Sequence, residues 1–249
     1  MAVHIKSRRD VEGIRLAGRI LAGALGRAAK LATPGTRLDD IDRVIRDHLE
    51  SESATATFLG YRGFPAAACI SVNDEVVHGI PSDRKLVEGD IVKVDIGVTK
   101  DGYIADAART FEVGVVKPEI HELVIATERS FWVGIEQARV GNRVGDISSA
   151  VQDYVEQRGY SVVRALCGHG VGLELHEEPS IPNYGRHGKG MKLQVGMTLA
   201  IEPMVNLGRF DVETLDNDWT VVTRDGSWSA HYENTVLVTD GKPEILTRV

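Results

Sequence analysis

Residues 91–113 read IVKVDIGVTKDGYIADAARTFEV, and the fold follows from this stretch. Two runs rich in Val, Ile and Phe flank a tight Lys100-Asp101-Gly102 turn, which predicts an antiparallel β-hairpin. Each arm carries one acid among apolar or small neighbours: Asp95 in Val-Lys-Val-Asp-Ile-Gly-Val and Asp106 in Ile-Ala-Asp-Ala-Ala. Centring the turn on Asp101 and Gly102 puts both acids at similar heights, about 5 Å apart at Cβ if the register pairs them. A lone buried carboxylate is costly without a cation, a hydrogen-bond network or a raised pKa. Two that close repel each other unless a metal lies between them. Taken alone, the pair reads better as surface acids on an exposed face.

Working outward, the chain before the hairpin is helical. Ser7 and Asp10 have the spacing of a capping box, and Val11, Ile14, Ala17, Leu21, Leu25 and Ala28 recur at three- and four-residue steps. This long amphipathic helix should stop at Thr33-Pro34-Gly35, with a shorter one following to about residue 51 on Leu38, Ile41, Val44, Ile45 and Leu49. After the hairpin the pattern starts again. Pro118 opens a helix with Ile120, Leu123, Val124, Phe131 and Ile135 on one face, and another begins near Asp146. Gly35-Thr-Arg37-Leu38-Asp-Asp40-Ile41 matches Gly141-Asn-Arg143-Val144-Gly-Asp146-Ile147 at a constant offset of 106. The match, with the repeated element order, indicates an internal duplication. From residue 160 the chain is β-rich and punctuated by glycine, and no linker divides the halves. The expectation is one α+β domain over 1–249, with halves of roughly 1–116 and 117–249. Both halves should give strands to a curved antiparallel sheet, covered on its outer face by the four helices.

Three further polar residues stand in the later β-rich segments: His169 in Gly168-His-Gly170-Val-Gly172, Glu202 in Leu-Ala-Ile-Glu-Pro-Met, and Glu233 before Asn-Thr-Val-Leu-Val. Any one of them is more often a satisfied polar group than a ligand. Four acids and a histidine, each in an apolar strand context, are hard to explain without cations. Their summed charge of -4 is what two divalent ions would cancel. Mainly oxygen ligation favours manganese, ferrous iron or cobalt and leaves zinc open.

Bulk composition narrows the class. The chain has 249 residues, 43% hydrophobic and 26% charged, enough apolar material for one large core. A net charge of -7 argues against specific DNA binding, which needs a clustered basic excess. Lys6, Arg8, Arg9, Arg15, Arg19, Arg27 and Lys30 make the first helix locally basic, read as a solvated face or as a contact for an anionic surface such as ribosomal RNA. Cys69 and Cys167 stand far apart and outside any C-x-x-C pattern, so neither a disulfide framework nor a thiolate zinc site is expected. Without a signal-peptide core or a long apolar run, neither export nor membrane spanning is expected.

The ordered set VVHGIP at 76–81, VDIG at 94–97, DGYIAD at 101–106, GHGVG at 168–172, HEEP at 176–179, IEPM at 201–204 and YENT at 232–235 resembles the type I methionine aminopeptidases over essentially the whole chain. The resemblance implies the pita-bread fold with two pseudosymmetric halves. It also implies a dinuclear centre of two divalent ions (Co, Mn, Fe or Zn): Asp95 on one ion, His169 and Glu202 on the other, Asp106 and Glu233 bridging. A hydroxide between the metals would attack the first peptide bond, Glu202 would shuttle the proton, His176 would stabilise the oxyanion, and His78 would contact the substrate near the scissile amide. Phe58, Tyr61, Phe64, Cys69, Leu175 and Trp219 match the family's methionine pocket. Phe58 and Leu175 depart from residues common there, and Ala107 replaces a frequent hydroxyl residue. The implied substrates are nascent polypeptide N-termini whose second residue is small, met in the cytoplasm by a monomer that touches the ribosome transiently.

Proline-type aminopeptidases and prolidases share fold and metal set but normally carry an extra N-terminal domain, whereas here the catalytic domain should start almost at residue 1. A non-catalytic binding protein on this fold would typically lose ligands, and all five are present.

Overall fold

Ser7 caps the first helix as its spacing predicts. Its Oγ accepts the Asp10 N–H at 3.3 Å, and the Asp10 carboxylate accepts the Ser7 N–H at 2.8 Å. The computed structural model describes residues 3–248; Met1, Ala2 and Val249 lie outside it. Among the described residues the long helices are α1 (Arg8–Leu31), α2 (Leu38–Ser51), α3 (Pro118–Ile135, Pro in its first turn) and α4 (Val144–Glu156). None is long and apolar enough to cross a membrane.

The two segments matched in sequence share local geometry. Gly35 and Gly141 take φ of 90° and 96°, a backbone that costs glycine little, and each leads into a helix capped by an arginine, Arg37 before α2 and Arg143 before α4. Each arginine bridges an antiparallel lysine, Lys85 and Lys192 respectively.

The hairpin forms as expected, with strands Ile91–Lys100 and Tyr103–Glu112. Asp101 and Gly102 both have positive φ, 51° and 82°, which suits a two-residue loop whose twist matches the strands. The register differs from the simple expectation. Asp95 pairs with Ala108 and Gly97 with Asp106, so the two acids are diagonal neighbours on one face rather than partners at one height. A two-residue loop closed by Lys100 and Tyr103 fixes this offset, and the glycine opposite Asp106 lets the Phe58 ring close over that face of the hairpin.

Ile14, Leu21, Ile41 and Ile45 from α1 and α2 pack on Val92, Val94, Ile96 and Val98 of the hairpin. In the second half Phe131 and Ile147 pack on Leu199, Ile201 and Val236. Each such side chain, fully removed from water, contributes about 1.5–3 kcal/mol.

Among the described residues the strands group into four antiparallel sheets. Hydroxyls help to continue the surface from one half to the other. Thr235 Oγ1 accepts the Asp106 N–H at 2.9 Å and donates to the Asp106 carbonyl at 2.9 Å, while the Glu233 N–H donates to the Ala108 carbonyl at 3.0 Å. This seam carries the acids.

Candidate metal centre

Glu202 and Glu233 owe their positions to a ladder that opens. Strand Thr198–Ile201 pairs with Asn234–Leu237, and beyond a short break Met204–Asn206 pairs with Ser229–His231 in the same register (Asn234↔Ile201, Met204↔His231). The break holds Glu202-Pro203 on one chain and Tyr232-Glu233 on the other, so both glutamates stand beside strands rather than inside them, contrary to the sequence reading. Leaving the ladder frees each side chain to turn away from the pleat. Because the Glu233 N–H is tied to Ala108, which pairs with Asp95, the second half's glutamate is delivered beside the first half's aspartate.

His169 enters on strand Cys167–Gly170, opposite Ala200. A Cβ on Gly168 would lie 2.3 Å from the Ala200 carbonyl oxygen, and one on Gly170 2.3 Å from that of Glu178. The flanking glycines are therefore needed for neighbouring backbone to close around the imidazole. His169 Nε2 lies 3.5 Å from Glu202 Oε1 and 3.9 Å from Asp106 Oδ2. Single donor atoms from Asp106, His169 and Glu233 fall within 4.8 Å of one another, and so do those from Asp95, His231 and Glu233. The five residues selected from sequence thus meet, with Glu233 common to both groups.

Burial dominates the electrostatics. It pushes the Asp95 carboxyl up to about 7, and it pushes Asp106, Glu202 and Glu233 well above the carboxylate range, with the neighbouring acids adding to the effect. Burial likewise holds His169 down at about 4, a neutral imidazole able to donate a lone pair. Asp95 Oδ1, Asp106 Oδ1 and Glu233 Oε1 are buried and have no hydrogen-bond partner. Orphaned acceptors aimed at one another are what a cation would satisfy, so this donor set fits divalent metal.

One open cavity of about 210 Å³ is lined by the five together with Phe58, Tyr61, Phe64, Cys69, His78, Leu175, His176 and Trp219, so every candidate site residue faces it. Phe64 and Trp219 meet edge to face at 5.1 Å between ring centres. Phe58 lies against Gly97, where a Cβ would come within 2.7 Å of its ring. Burial first, then Asp95, Asp106 and Glu233, raise the Cys69 thiol well above its usual value, leaving a neutral apolar wall.

The histidines flank the acids. His78 has φ 59°, an uncommon backbone for a non-glycine residue. Its ring stands 6.4 Å from that of Trp219. His176 is at the solvent-exposed mouth, its ring 4.3 Å from that of His169 and its Nδ1 2.9 Å from the Tyr61 hydroxyl. Partial desolvation, then His169, Arg62 and His78, push it down to about 4.

Sequence reasoning missed His231, which the geometry groups with Asp95 and Glu233, and the wall residues Arg62, Val77, Leu166, Cys167 and Met204. The two-residue step from His231 to Glu233 was the available signal, since alternate residues of an extended chain share a side.

Known proteins resemble this arrangement closely. The model of metallopeptidase family M24 matches residues 12–240. The methionine aminopeptidase of Clostridium acetobutylicum is 51% identical over 244 residues, covering 98% of each chain. That of Escherichia coli is 42% identical over 251 residues, 99% of this chain and 94% of its own. Among solved structures, the methionine aminopeptidase of Thermotoga maritima superposes with a TM-score of 0.98 over the full length of both chains at 42% identity. Prolidase from Pyrococcus furiosus, 24% identical with a TM-score of 0.79 over 98% of this chain and 65% of its own, shares the fold.

Proposed function

The chain belongs to metallopeptidase family M24, and we propose that it is a methionine aminopeptidase that removes the initiator methionine from nascent polypeptides whose second residue is small. The observation that carries this reading is a single cavity lined both by the acids and His169 and by an apolar cluster of Phe58, Phe64, Cys69, Leu175 and Trp219. The whole chain acts as one catalytic domain, with the centre between its two halves.

Asp95, Asp106, His169, Glu202 and Glu233 would hold two divalent ions, drawn from Mn, Fe, Co or Zn. Such ions supply Lewis acidity, lowering the pKa of a water and polarising the scissile carbonyl. The methionine side chain packs against that cluster, where burial and sulfur–aromatic contact favour an unbranched thioether. Seated there, the substrate presents its first peptide bond to the acids. Glu202 takes a proton from the attacking water and passes it to the leaving amine. His78 steadies the scissile amide, and His176 donates to the developing oxyanion from the cavity mouth. The same crowding limits the second side chain.

The enzyme works in the cytoplasm as a monomer, and the basic outer face of α1, with Arg8, Arg9, Arg19 and Arg27, offers a transient contact for ribosomal RNA. Chelated protein reconstituted separately with Mn, Fe, Co and Zn should cleave Met-Ala and Met-Gly peptides and spare Met-Lys and Met-Leu peptides, read by chromatography of released methionine. Equal turnover of all four peptides overturns the reading.

A further inference from the structure

His231 stands beside the acids, and the five-ligand scheme has no use for it. It ends strand Ser229–His231 and is 1% exposed. Its backbone is clamped from both sides, since Thr110 Oγ1 accepts the His231 N–H at 2.9 Å and donates to the His231 carbonyl at 2.8 Å. Yet neither ring nitrogen has a hydrogen-bond partner. A buried neutral imidazole normally satisfies one donor and one acceptor, and each orphaned group costs about 1–3 kcal/mol.

The ring is directed at the acids. Nε2 lies 3.8 Å from Glu233 Oε2, too far for a hydrogen bond, and a ring nitrogen falls within 4.8 Å of carboxylate oxygens of both Asp95 and Glu233. Two donors each about 2.1 Å from a common ion stand about 3 to 4.2 Å apart, and the Glu233–His231 separation falls inside that window. Placing a lone pair opposite two carboxylates is repulsive without a cation among them and favourable with one.

We propose that His231 is a sixth protein ligand, giving a nitrogen donor to the ion held by Asp95 and Glu233. The inference rests on the dinuclear reading above and extends it. Each ion then has one imidazole, His169 on one and His231 on the other. The added nitrogen shifts the Asp95 side away from a purely oxygen site and raises its preference for zinc and cobalt over manganese.

X-ray absorption of wild-type protein carrying two Zn(II) or two Co(II) counts imidazoles directly. The proposal expects about one per ion on average, whereas His169 alone gives one half. The substitution His231→Gln keeps a polar side chain of similar length. Calorimetric titration of the chelated variant with Zn(II) should show one of the two affinities weakened at least about 10-fold and the other nearly unchanged. Thermal melts of the same chelated samples establish that the variant folds, and the wild-type imidazole count stands if it does not. One half imidazole per ion, or two unchanged affinities in folded His231→Gln, overturns the sixth ligand alone. A wild type that binds no divalent cation overturns this proposal and the dinuclear reading together.

Discussion

Loading the chelated protein with metal should expel protons, and Asp95 sets the least number. Burial raises Asp106, Glu202 and Glu233 well above the carboxylate range and Asp95 to about 7, which favours the protonated form of all four when no cation is bound. Coordination requires the ionised forms. Asp95, at about 7, gives up about half a proton at pH 7, and the other three raised acids add to it, so binding of the ion pair should release more than about half a proton. By linkage, the apparent affinity for the pair then rises with pH through this range, about 10-fold per pH unit for each proton released. Calorimetry with MnCl2 in buffers of different ionisation enthalpy measures the proton count at fixed pH. Release of less than half a proton would refute the reasoning, because the acids would then be ionised already and their burial would cost little.

The same shifts fix the sign for stability. Folded-state values lie above the unfolded references of 3.8 and 4.5, so the protonated acids contribute stability that is fully present below those references. That contribution is lost as pH rises through the folded values, at about 7 for Asp95, with the other three raised in the same direction. Chelated protein should therefore melt at progressively lower temperature from pH 5 to pH 8. Metal-loaded protein should escape that decline, since the cations replace the protons.

Three further outcomes are expected. Glu202→Gln should lower kcat about 10²- to 10⁴-fold on Met-Ala peptides, measured after metal content is matched by elemental analysis; an unchanged kcat would remove Glu202 from proton transfer. Phe64→Ala strips the partner of Trp219 from the apolar lining of the cavity and should raise KM about 10- to 100-fold with a smaller change in kcat, as steady-state kinetics would show; the reverse split would move Phe64 out of the methionine pocket. Gly18→Ala places a Cβ 2.1 Å from the Leu246 carbonyl oxygen, and an overpacking cost of about 1–3 kcal/mol should outweigh the roughly 1 kcal/mol gained in helix propensity. Denaturant unfolding that showed the variant more stable would contradict that balance.

The hairpin was legible because two signals agree within it: β-branched runs and a dipeptide that tolerates positive φ at both turn positions. Its register was not. Loop closure at Lys100 and Tyr103, rather than the placement of acids, decides which residues face each other, and a shift of two residues turns a direct pair into a diagonal one. The match of Gly35 with Gly141 was legible because both take the same backbone before a helix. Glu202 and Glu233 were found as acids in apolar surroundings, while the opening of their ladder was hidden, since Ile201 and Met204 read as one continuous strand with Pro203 between them. His231 was passed over although its two-residue step to Glu233 was in view, because alternation puts two residues on one side of an extended chain without saying where a ring points. Only the tertiary placement of Thr110 and Asp95 gives its ring a direction.

The centre's position at the seam explains why neither half could carry the chemistry alone. Asp95 and Asp106 come from the first half, and His169, Glu202 and Glu233 from the second. Among the hydrogen bonds between the halves, one group runs through Asp106, Ala108, Thr110, His231, Glu233 and Thr235, which are proposed donors, their neighbours or their clamps. Forces that join the halves therefore also set the distances among the donors. Each half brings like charge to the junction, so closing the seam concentrates negative charge in a dry space and makes the closed structure depend on protons or cations. Metal affinity and assembly of the two halves are thus one equilibrium: strengthening the seam preorganises the donors, and binding ions strengthens the seam.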